Sequence, residues 1–151
     1  MTDAVETLQD TMFDLLGRIA GLERDIFATV GPGGADFEAA HKAVVDFTEH
    51  TLRPWHRAVE EHLYPAATPV VRARLLVEGL AGEWQMVEQA YSRLSCVSTD
   101  RVRIAADISA LRVLLVVLIG KTADLLIPAL ADDGIDLREA ADRIAAAAPA
   151  A

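Results

Sequence analysis

Four polar side chains that could take part in chemistry lie on otherwise apolar helical rows of this chain: His41, His62, Tyr91 and Thr122. His62 is the natural acid or base among them, because an unperturbed imidazole titrates near neutrality. His62 and Tyr91 are expected towards opposite ends of the molecule, and His41 could pair with Tyr91. Thr122 could equally bond back to its own helix backbone. Such a set could support proton transfer or the templating of a bound molecule, and each member could also be an ordinary core residue.

Helices must position these residues, because apolar residues recur about every 3.6 positions along most of the chain. Four clusters of turn-forming residues interrupt this pattern: Gly31-Pro32-Gly33-Gly34, Thr68-Pro69, Ser98-Thr99-Asp100 and Asp132-Asp133-Gly134. The segments between them, each of roughly 25 residues, predict an all-α fold, an antiparallel up-down-up-down four-helix bundle. A short tail helix is expected at about residues 136–147, after a core spanning residues 3–130. The length predicts a single domain over residues 1–151.

The second segment contains Pro54, which removes one backbone hydrogen bond. It is expected to kink this helix rather than end it, because the apolar row continues beyond it. The positions expected to face inward near the middle of the segments are the following: Thr11 in the first, Trp55 and Val59 in the second, Trp84 in the third, and Leu118 and Thr122 in the fourth.

The second and fourth segments end alike, in Leu63-Tyr64-Pro65-Ala66 and in Asp124-Leu125-Leu126-Ile127-Pro128-Ala129-Leu130. Together with Pro54 and Glu60-Glu61, these ends resemble the hemerythrin-like (HHE cation-binding) family over roughly residues 5–130. That family holds two oxygen-binding iron ions inside a four-helix bundle. Helices 1 and 3 each supply a His, and helices 2 and 4 each supply a His-x-x-x-Glu pair. The resemblance therefore implies the same bundle, with ligand positions at the six inward residues named above.

None of those six residues can ligate iron as the family requires. The resemblance thus implies a degenerate member of the family, with no metal and no cofactor. An imidazole or carboxylate left in the core without its metal would lack partners, which costs about 1–3 kcal/mol per group. Trp, Val, Leu and Thr at these positions remove that cost.

A residual metal-binding protein is an alternative, because His56 and Glu60 form a His-x-x-x-Glu pair one residue away from Trp55 and Val59. One residue turns an α-helix by about 100°. The pair is therefore expected on the polar side of the helix, facing solvent.

Two functions remain open for the interior. In the first, the former iron cavity binds a small, largely apolar or aromatic molecule and could turn it over without a cofactor. Its candidate catalytic residues are His62 and Tyr91, and its candidate binding residues are Thr11, His41, Trp55, Val59, Trp84, Leu118 and Thr122. In the second, the tryptophans fill the interior and the protein is a non-catalytic dimerising or protein-interaction module.

The fourth segment is apolar on several sides, at Val113, Val116, Val117 and Ile119, so the tail helix or a homodimer partner is expected to cover it. A formal charge of −9 disfavours nucleic acid and anionic membranes as partners. The acidic N-terminus lacks the pattern of a secretion signal, so a cytoplasmic location is expected.

Overall fold

The computed structural model describes residues 3–31, 36–96 and 98–150. It is all-helical, with 87% of the chain in helix and no strand among these residues. The elements in chain order are α1 (Ala4–Thr29), α2 (Phe37–Phe47), a π turn (Thr48–Leu52), α3 (Arg53–Ala58), a second π turn (Val59–Leu63), a 3-10 turn (Tyr64–Ala67), α4 (Val71–Ser95), α5 (Arg101–Lys121), a third π turn (Thr122–Leu126), α6 (Ile127–Asp132) and α7 (Arg138–Ala147).

Two of the predicted helix boundaries can be compared with the structure. The Asp100 carboxylate accepts a hydrogen bond from the backbone N–H of Arg103, so Asp100 caps α5 as a short acidic side chain can. α4 begins at Val71 without a side-chain cap, so the start predicted at Thr68-Pro69 is two residues too early. Pro32, Gly33 and Gly34, in the first predicted break, lie outside the described residues.

Among the described residues, three π turns interrupt the helices, and each ends at the Leu of a Leu-x-Pro sequence: Leu52-Arg53-Pro54, Leu63-Tyr64-Pro65 and Leu126-Ile127-Pro128. A proline inside an α-helix lacks its N–H, and its ring clashes with the carbonyl four residues earlier. Widening the preceding turn moves that carbonyl away, and the N–H of Arg53 bonds to the Thr48 carbonyl five residues back. The interruption expected at Pro54 is therefore a π turn, and the helix continues after it.

Contacts between the ends of the helices give their relative directions. The Gln9 side chain donates to the Ala123 carbonyl, and Arg101 donates to the Thr29 carbonyl, so α1 and α5 run in opposite directions. α4 and α5 also run in opposite directions, because Lys121 pairs with Glu83 at one end and Asp107 pairs with Arg93 at the other.

One apolar core joins these helices. Its largest fully buried side chains are Trp55, Leu8, Met12, Leu15, Ile19, Ile26, Leu52, Leu63, Leu80, Leu94, Ile104 and Ile108. In α1 the buried row contains Met12, and Thr11 is only half-buried, with its hydroxyl donating to the Thr7 carbonyl at 2.9 Å. The prediction of Thr11 as an inward position is therefore wrong by one residue.

The tail helix α7 packs against α1, α3 and the π turn Val59–Leu63, and it buries Ala140, Ala141 and Ile144. The expectation that it covers the fourth segment is wrong, since Val113, Val116 and Val117 of α5 remain exposed. Ile119 differs from these three, because it is completely buried and belongs to the core.

The helical stretch Arg101–Asp132 is long and apolar enough to cross a membrane by length and composition alone. Half of its most apolar 18-residue window is buried inside the molecule, and the core helix of a soluble protein has the same properties.

Candidate functional site

The structure separates the six predicted inward positions into two groups. Trp55, Val59, Leu118 and Thr122 are each at most 1% exposed, and the Thr122 hydroxyl donates to the Leu118 carbonyl at 2.8 Å. Trp55 therefore fills space at the centre of the core. Thr11 lies at the core edge, and Trp84 is only half-buried, so these two do not join the others around a common centre.

Trp84 stacks on the imidazole of His56. The two ring centroids are 3.7 Å apart and the ring planes differ by 5°. His56 is 2% exposed, so its predicted place on the solvent side of the helix is wrong. A buried helical stripe is at least about 100° wide, which allows the neighbours Trp55 and His56 to be buried together.

An open pocket of about 480 Å³ lies beside this stack. Its lining combines the Trp84 indole and the His56 imidazole with mostly charged side chains: Glu49, Arg53, Pro54, Arg57, Glu60 and Glu88. We call it the Trp84 pocket. It lies between α4 and the stretch that includes the first two π turns and α3, and it opens to solvent at the outside of the molecule.

Burial decides the charge state of His56. Removal from water disfavours the imidazolium and lowers the pKa of His56 to about 4. Glu60 lies 3.7 Å from Nδ1, too far for a good hydrogen bond. Nε2 has no hydrogen-bond partner among the described residues. His56 is therefore neutral at pH 7, with unused hydrogen-bonding capacity.

Tyr64 adds a second polar group without a partner next to His56. Its ring meets the His56 ring edge to face, with centroids 6.1 Å apart, and its hydroxyl is buried without a hydrogen bond among the described residues. Burial raises the pKa of Tyr64 above its usual value, and the charges of Glu60 and Glu83 raise it further. One oxygen of Glu83 is also buried and unpaired, whereas the other accepts from Lys121.

A hydrogen-bonded network forms one wall of the Trp84 pocket. Arg53 binds Glu88 through two bonds of 2.6 and 3.1 Å and donates to Glu49 at 2.6 Å. The Tyr91 hydroxyl also donates to Glu49 at 2.6 Å, and the Arg53 guanidinium lies 4.6 Å from the centre of the Tyr91 ring. Arg53 is therefore neutralised by two carboxylates and held in place against the tyrosine.

This network fixes the protonation states of its members. The Tyr91 hydrogen bond, and then the one from Arg53, lower the pKa of Glu49 below its usual value. Burial, followed by the bond to Glu49, raises the pKa of Tyr91 to about 12. Tyr91 thus remains a neutral donor that orients Glu49, and it reaches the pocket only through that carboxylate.

The two remaining predicted histidines lie elsewhere. His62 is half-exposed, 3.9 Å from the carboxylate of its neighbour Glu61, and the buried position after Val59 is taken by Leu63. His41 donates to the Leu94 carbonyl at 2.6 Å and stacks on Phe37, so it does not pair with Tyr91. Neither histidine lines the Trp84 pocket.

The residues at the predicted ligand positions do not fit a di-iron centre. A hydroxyl, an indole and aliphatic side chains offer iron none of the imidazole and carboxylate ligands that the hemerythrin-like family uses. Among the residues that the structure describes, no group of three or more His, Cys, Asp or Glu side chains is placed to hold a metal ion.

No protein-family model, curated protein or solved structure matches the chain.

Sequence reasoning missed most of the pocket. The spacing of His56 and Glu60 predicts a position on the solvent side, and Glu49 and Glu88 carry no sequence signal of their own. The available clue was the pair of Leu-x-Pro sequences on either side of Trp55-His56, because the π turn before each of them shifts the buried stripe along this segment.

Proposed function

We propose that the protein is a metal-free, hemerythrin-like, antiparallel four-helix bundle that binds a small flat molecule in the Trp84 pocket. The observation that carries the proposal is the neutral, buried His56 stacked on a half-buried Trp84 at the edge of an open pocket. A native core usually pairs its buried polar groups, so unpaired ones beside an opening favour a ligand that completes them. The family assignment rests on the sequence features given above, and a cytoplasmic location remains part of the proposal.

The charges of the lining favour a ligand with hydrogen-bond donors or a positive charge. The pocket contains the carboxylates of Glu49, Glu60 and Glu88 and the guanidinium groups of Arg53 and Arg57, with a neutral His56. Its formal charge is thus −1, from three acids and two bases. Arg53 is already bound by two of the carboxylates, which leaves Glu60 as the acceptor nearest to His56.

Binding fits these residues better than acid–base catalysis. A general acid or base works best with a pKa near the working pH. His56 titrates at about 4 and Tyr91 at about 12, and the pKa of Tyr64 is raised further from neutrality. The pocket is therefore suited to recognition through stacking and hydrogen bonds. The apolar ligand expected inside the bundle becomes, in this proposal, a flat polar ligand at its surface.

Matched flat probes can test the proposal. Benzamidinium, benzamide and benzoate share a shape but carry charges of +1, 0 and −1. With about nine heavy atoms, the preferred probe is expected to bind with a Kd on the order of 1 mM. A Trp55→Phe variant leaves Trp84 as the sole tryptophan, so with excitation selective for tryptophan the change in its emission reports binding directly.

Benzamidinium is expected to change the emission of Trp84, with benzamide weaker and benzoate weakest. Glu60→Gln is expected to weaken benzamidinium binding by up to about 5-fold, as for a partly exposed charge pair. Glu61→Gln, which changes the neighbouring exposed acid outside the pocket, is the matched control. A preference for benzoate, or equal effects of the Glu60 and Glu61 changes, would contradict the proposal.

The runner-up, a non-catalytic dimerising module, is favoured by one specific observation. Trp55, Val59 and Leu118 are packed without exposure, which leaves little room for a ligand at the centre of the core. The two functions can coexist, because the Trp84 pocket and the exposed apolar residues of α5 lie on different sides of the molecule.

A further inference from the structure

In the part of the chain that the structure describes, the large exposed apolar side chains lie on three helices and one turn. Among the described residues, the large ones are Phe13, Phe27, Val71, Leu75, Met86, Val102, Val113, Val116, Val117 and Leu125. All ten belong to α1, α4, α5 or the π turn that follows α5. None lies on residues 37–67 or on α7.

The centre of this region is the outward side of α5. Its residues lie on one side of the helix and none is charged: Val102, Ala106, Ala110, Val113, Val116, Val117 and Gly120. We call this side the α5 face. It is about 27 Å long, since 18 steps of 1.5 Å separate its first and last residues.

Neighbouring helices extend the α5 face on both sides. In α4, Met86 lies one turn after Glu83, which pairs with α5 through Lys121, so Met86 is on the side of α4 next to α5. In α1, Gln9 and Glu23 both bond to the helical stretch that contains α5. Phe13 lies one turn after Gln9 and Phe27 one turn after Glu23, so both are on the side of α1 next to α5. With helix axes about 9 Å apart, the three helices give a footprint of roughly 27 by 20 Å.

Three charged residues of α5 that border the α5 face are paired within the chain. Lys121 pairs with Glu83, and Arg112 lies 3.6 Å from Glu23. Asp107 lies within 4 Å of both Arg93 and Arg103. The seven α5 residues of the face carry no charge, and these neighbouring charges are already matched within the chain. An equally apolar and uncharged surface fits it best, and a second copy of this chain has one.

Three glycines leave the backbone open on the same side. Gly79 and Gly82 lie on one exposed stripe of α4 with Leu75 and Met86, and Gly120 lies on the α5 face. A Cβ added at any of the three glycines would meet nothing within 4 Å. Each of these glycines lowers the stability of its helix by about 1 kcal/mol relative to Ala. Packing inside the chain does not require a glycine at any of the three positions. A helix of another copy could approach closely there.

We infer that the α5 face is the interface of a two-fold symmetric homodimer. Its footprint of roughly 540 Å² per copy, or about 1,100 Å² for two copies, lies just above the about 1,000 Å² in total that a specific interface needs. The chain carries a formal charge of −9, yet none of the seven residues of the α5 face is charged, so pairing two copies through these residues brings no like charges into direct contact. The same negative charge disfavours an anionic membrane as the alternative cover.

Sedimentation equilibrium of the unmodified chain tests this inference. A dimer is expected to form at tens of micromolar, and the double substitution Val113→Glu with Val117→Glu is expected to weaken it at least about 100-fold, because four charges would enter an apolar interface. Glu is a better helix former than Val, so this variant is expected to fold. Ala39→Glu with Ala43→Glu, at the same spacing and exposed on α2, is the matched control and is expected to leave the dimer intact.

Charge complementation makes the test specific for self-association. Mixing the double Glu variant with a Val113→Lys, Val117→Lys variant is expected to restore dimers that neither forms alone, because a two-fold axis places the same face opposite itself. A chain that stays monomeric to about 1 mM would overturn the inference, as would a dimer indifferent to the α5 substitutions. Co-sedimentation of the monomer with phosphatidylcholine vesicles, lost in the double Glu variant, would overturn it in favour of a membrane surface.

Discussion

The side of the molecule around the Trp84 pocket and the α5 face leave opposite kinds of groups without partners. Near Trp84, the Nε2 atom of His56 and the Tyr64 hydroxyl are buried and have no hydrogen-bond partner among the described residues. On the α5 face, the neighbouring Lys121 and Arg112 are paired with acids, and valines are exposed instead. Missing hydrogen bonds fit the proposed ligand with polar groups in fixed places, whereas exposed valines fit the proposed apolar surface of a second copy. The difference suggests two separate partners for one small domain.

The largest expected effect is a difference in unfolding free energy between substitutions on the buried and the exposed side of α5. Ile119→Ala removes a completely buried side chain and is expected to lower the free energy of unfolding by about 2–5 kcal/mol. Val113→Ala removes a side chain that is 57% exposed and is expected to change it by less than about 0.5 kcal/mol. Urea unfolding at about 1 μM, below the expected range of dimerisation, measures both.

Equal losses for the two variants at that concentration would mean that the chain itself covers Val113. The α5 face would then already be covered within one chain and would not be free to bind a second copy.

The second prediction uses the pH dependence of His56. In the unfolded chain a histidine titrates at about 6.5, and in the folded protein the pKa of His56 is about 4, so the unfolded state binds one more proton between these values. Stability therefore rises with pH across this window, and the stability associated with His56 is lost as pH falls from 6.5 to 4. The expected loss is about 3 kcal/mol.

Urea unfolding at pH 7 and pH 4.5 measures most of this loss. His56→Gln removes the titrating group and is expected to reduce the difference in unfolding free energy between the two pH values. His50→Gln, at an exposed position, is expected to leave that difference unchanged. An unchanged pH dependence in His56→Gln would show that His56 is not held neutral by burial.

The smallest expected effect comes from the network that forms one pocket wall. Tyr91→Phe keeps the ring beneath Arg53 but removes the hydroxyl that donates to Glu49. A loss of about 1 kcal/mol is expected, because Glu49 is partly exposed and keeps its bond from Arg53. The pKa of Glu49 is expected to rise towards its usual value, since this hydrogen bond is the largest cause of its lowering.

Carbon-detected NMR titration of Glu49 measures that shift. A Tyr64→Phe variant is the comparison, because its hydroxyl has no bond to lose and its removal is expected to leave the Glu49 pKa unchanged.

The all-helical fold could be predicted from the sequence, and the pocket could not. Period 3.6 and clusters of Gly, Pro and Asp are local signals, and they indicated the helices and most of their ends. The site depends instead on rotation about the helix axis. The buried stripe of a helix is wider than one residue. A single row of inward positions read from the sequence therefore cannot show whether Thr11 or Met12 is buried, or that Trp55 and His56 are buried together.

Rotation also explains the error at His62. With ordinary α-helical turns, His62 would follow Val59 on the inward side of the helix. The π turn Val59–Leu63 holds one extra residue, and Leu63 lies in the core instead. The side chain predicted to be the acid or base therefore lies outside. Polar contacts between distant segments, such as Tyr91 with Glu49, have no local signal at all.

The π turns also give this chain places where its length can change. Deleting one exposed residue there, such as Glu60 or Asp124, and replacing the proline that follows, would leave an ordinary helical turn and preserve the orientation of the helices on both sides. The same deletion within α4 would turn every later side chain by about 100° and move Tyr91 out of place. Insertions and deletions in descendants of this sequence are therefore expected to accumulate at the Leu-x-Pro segments.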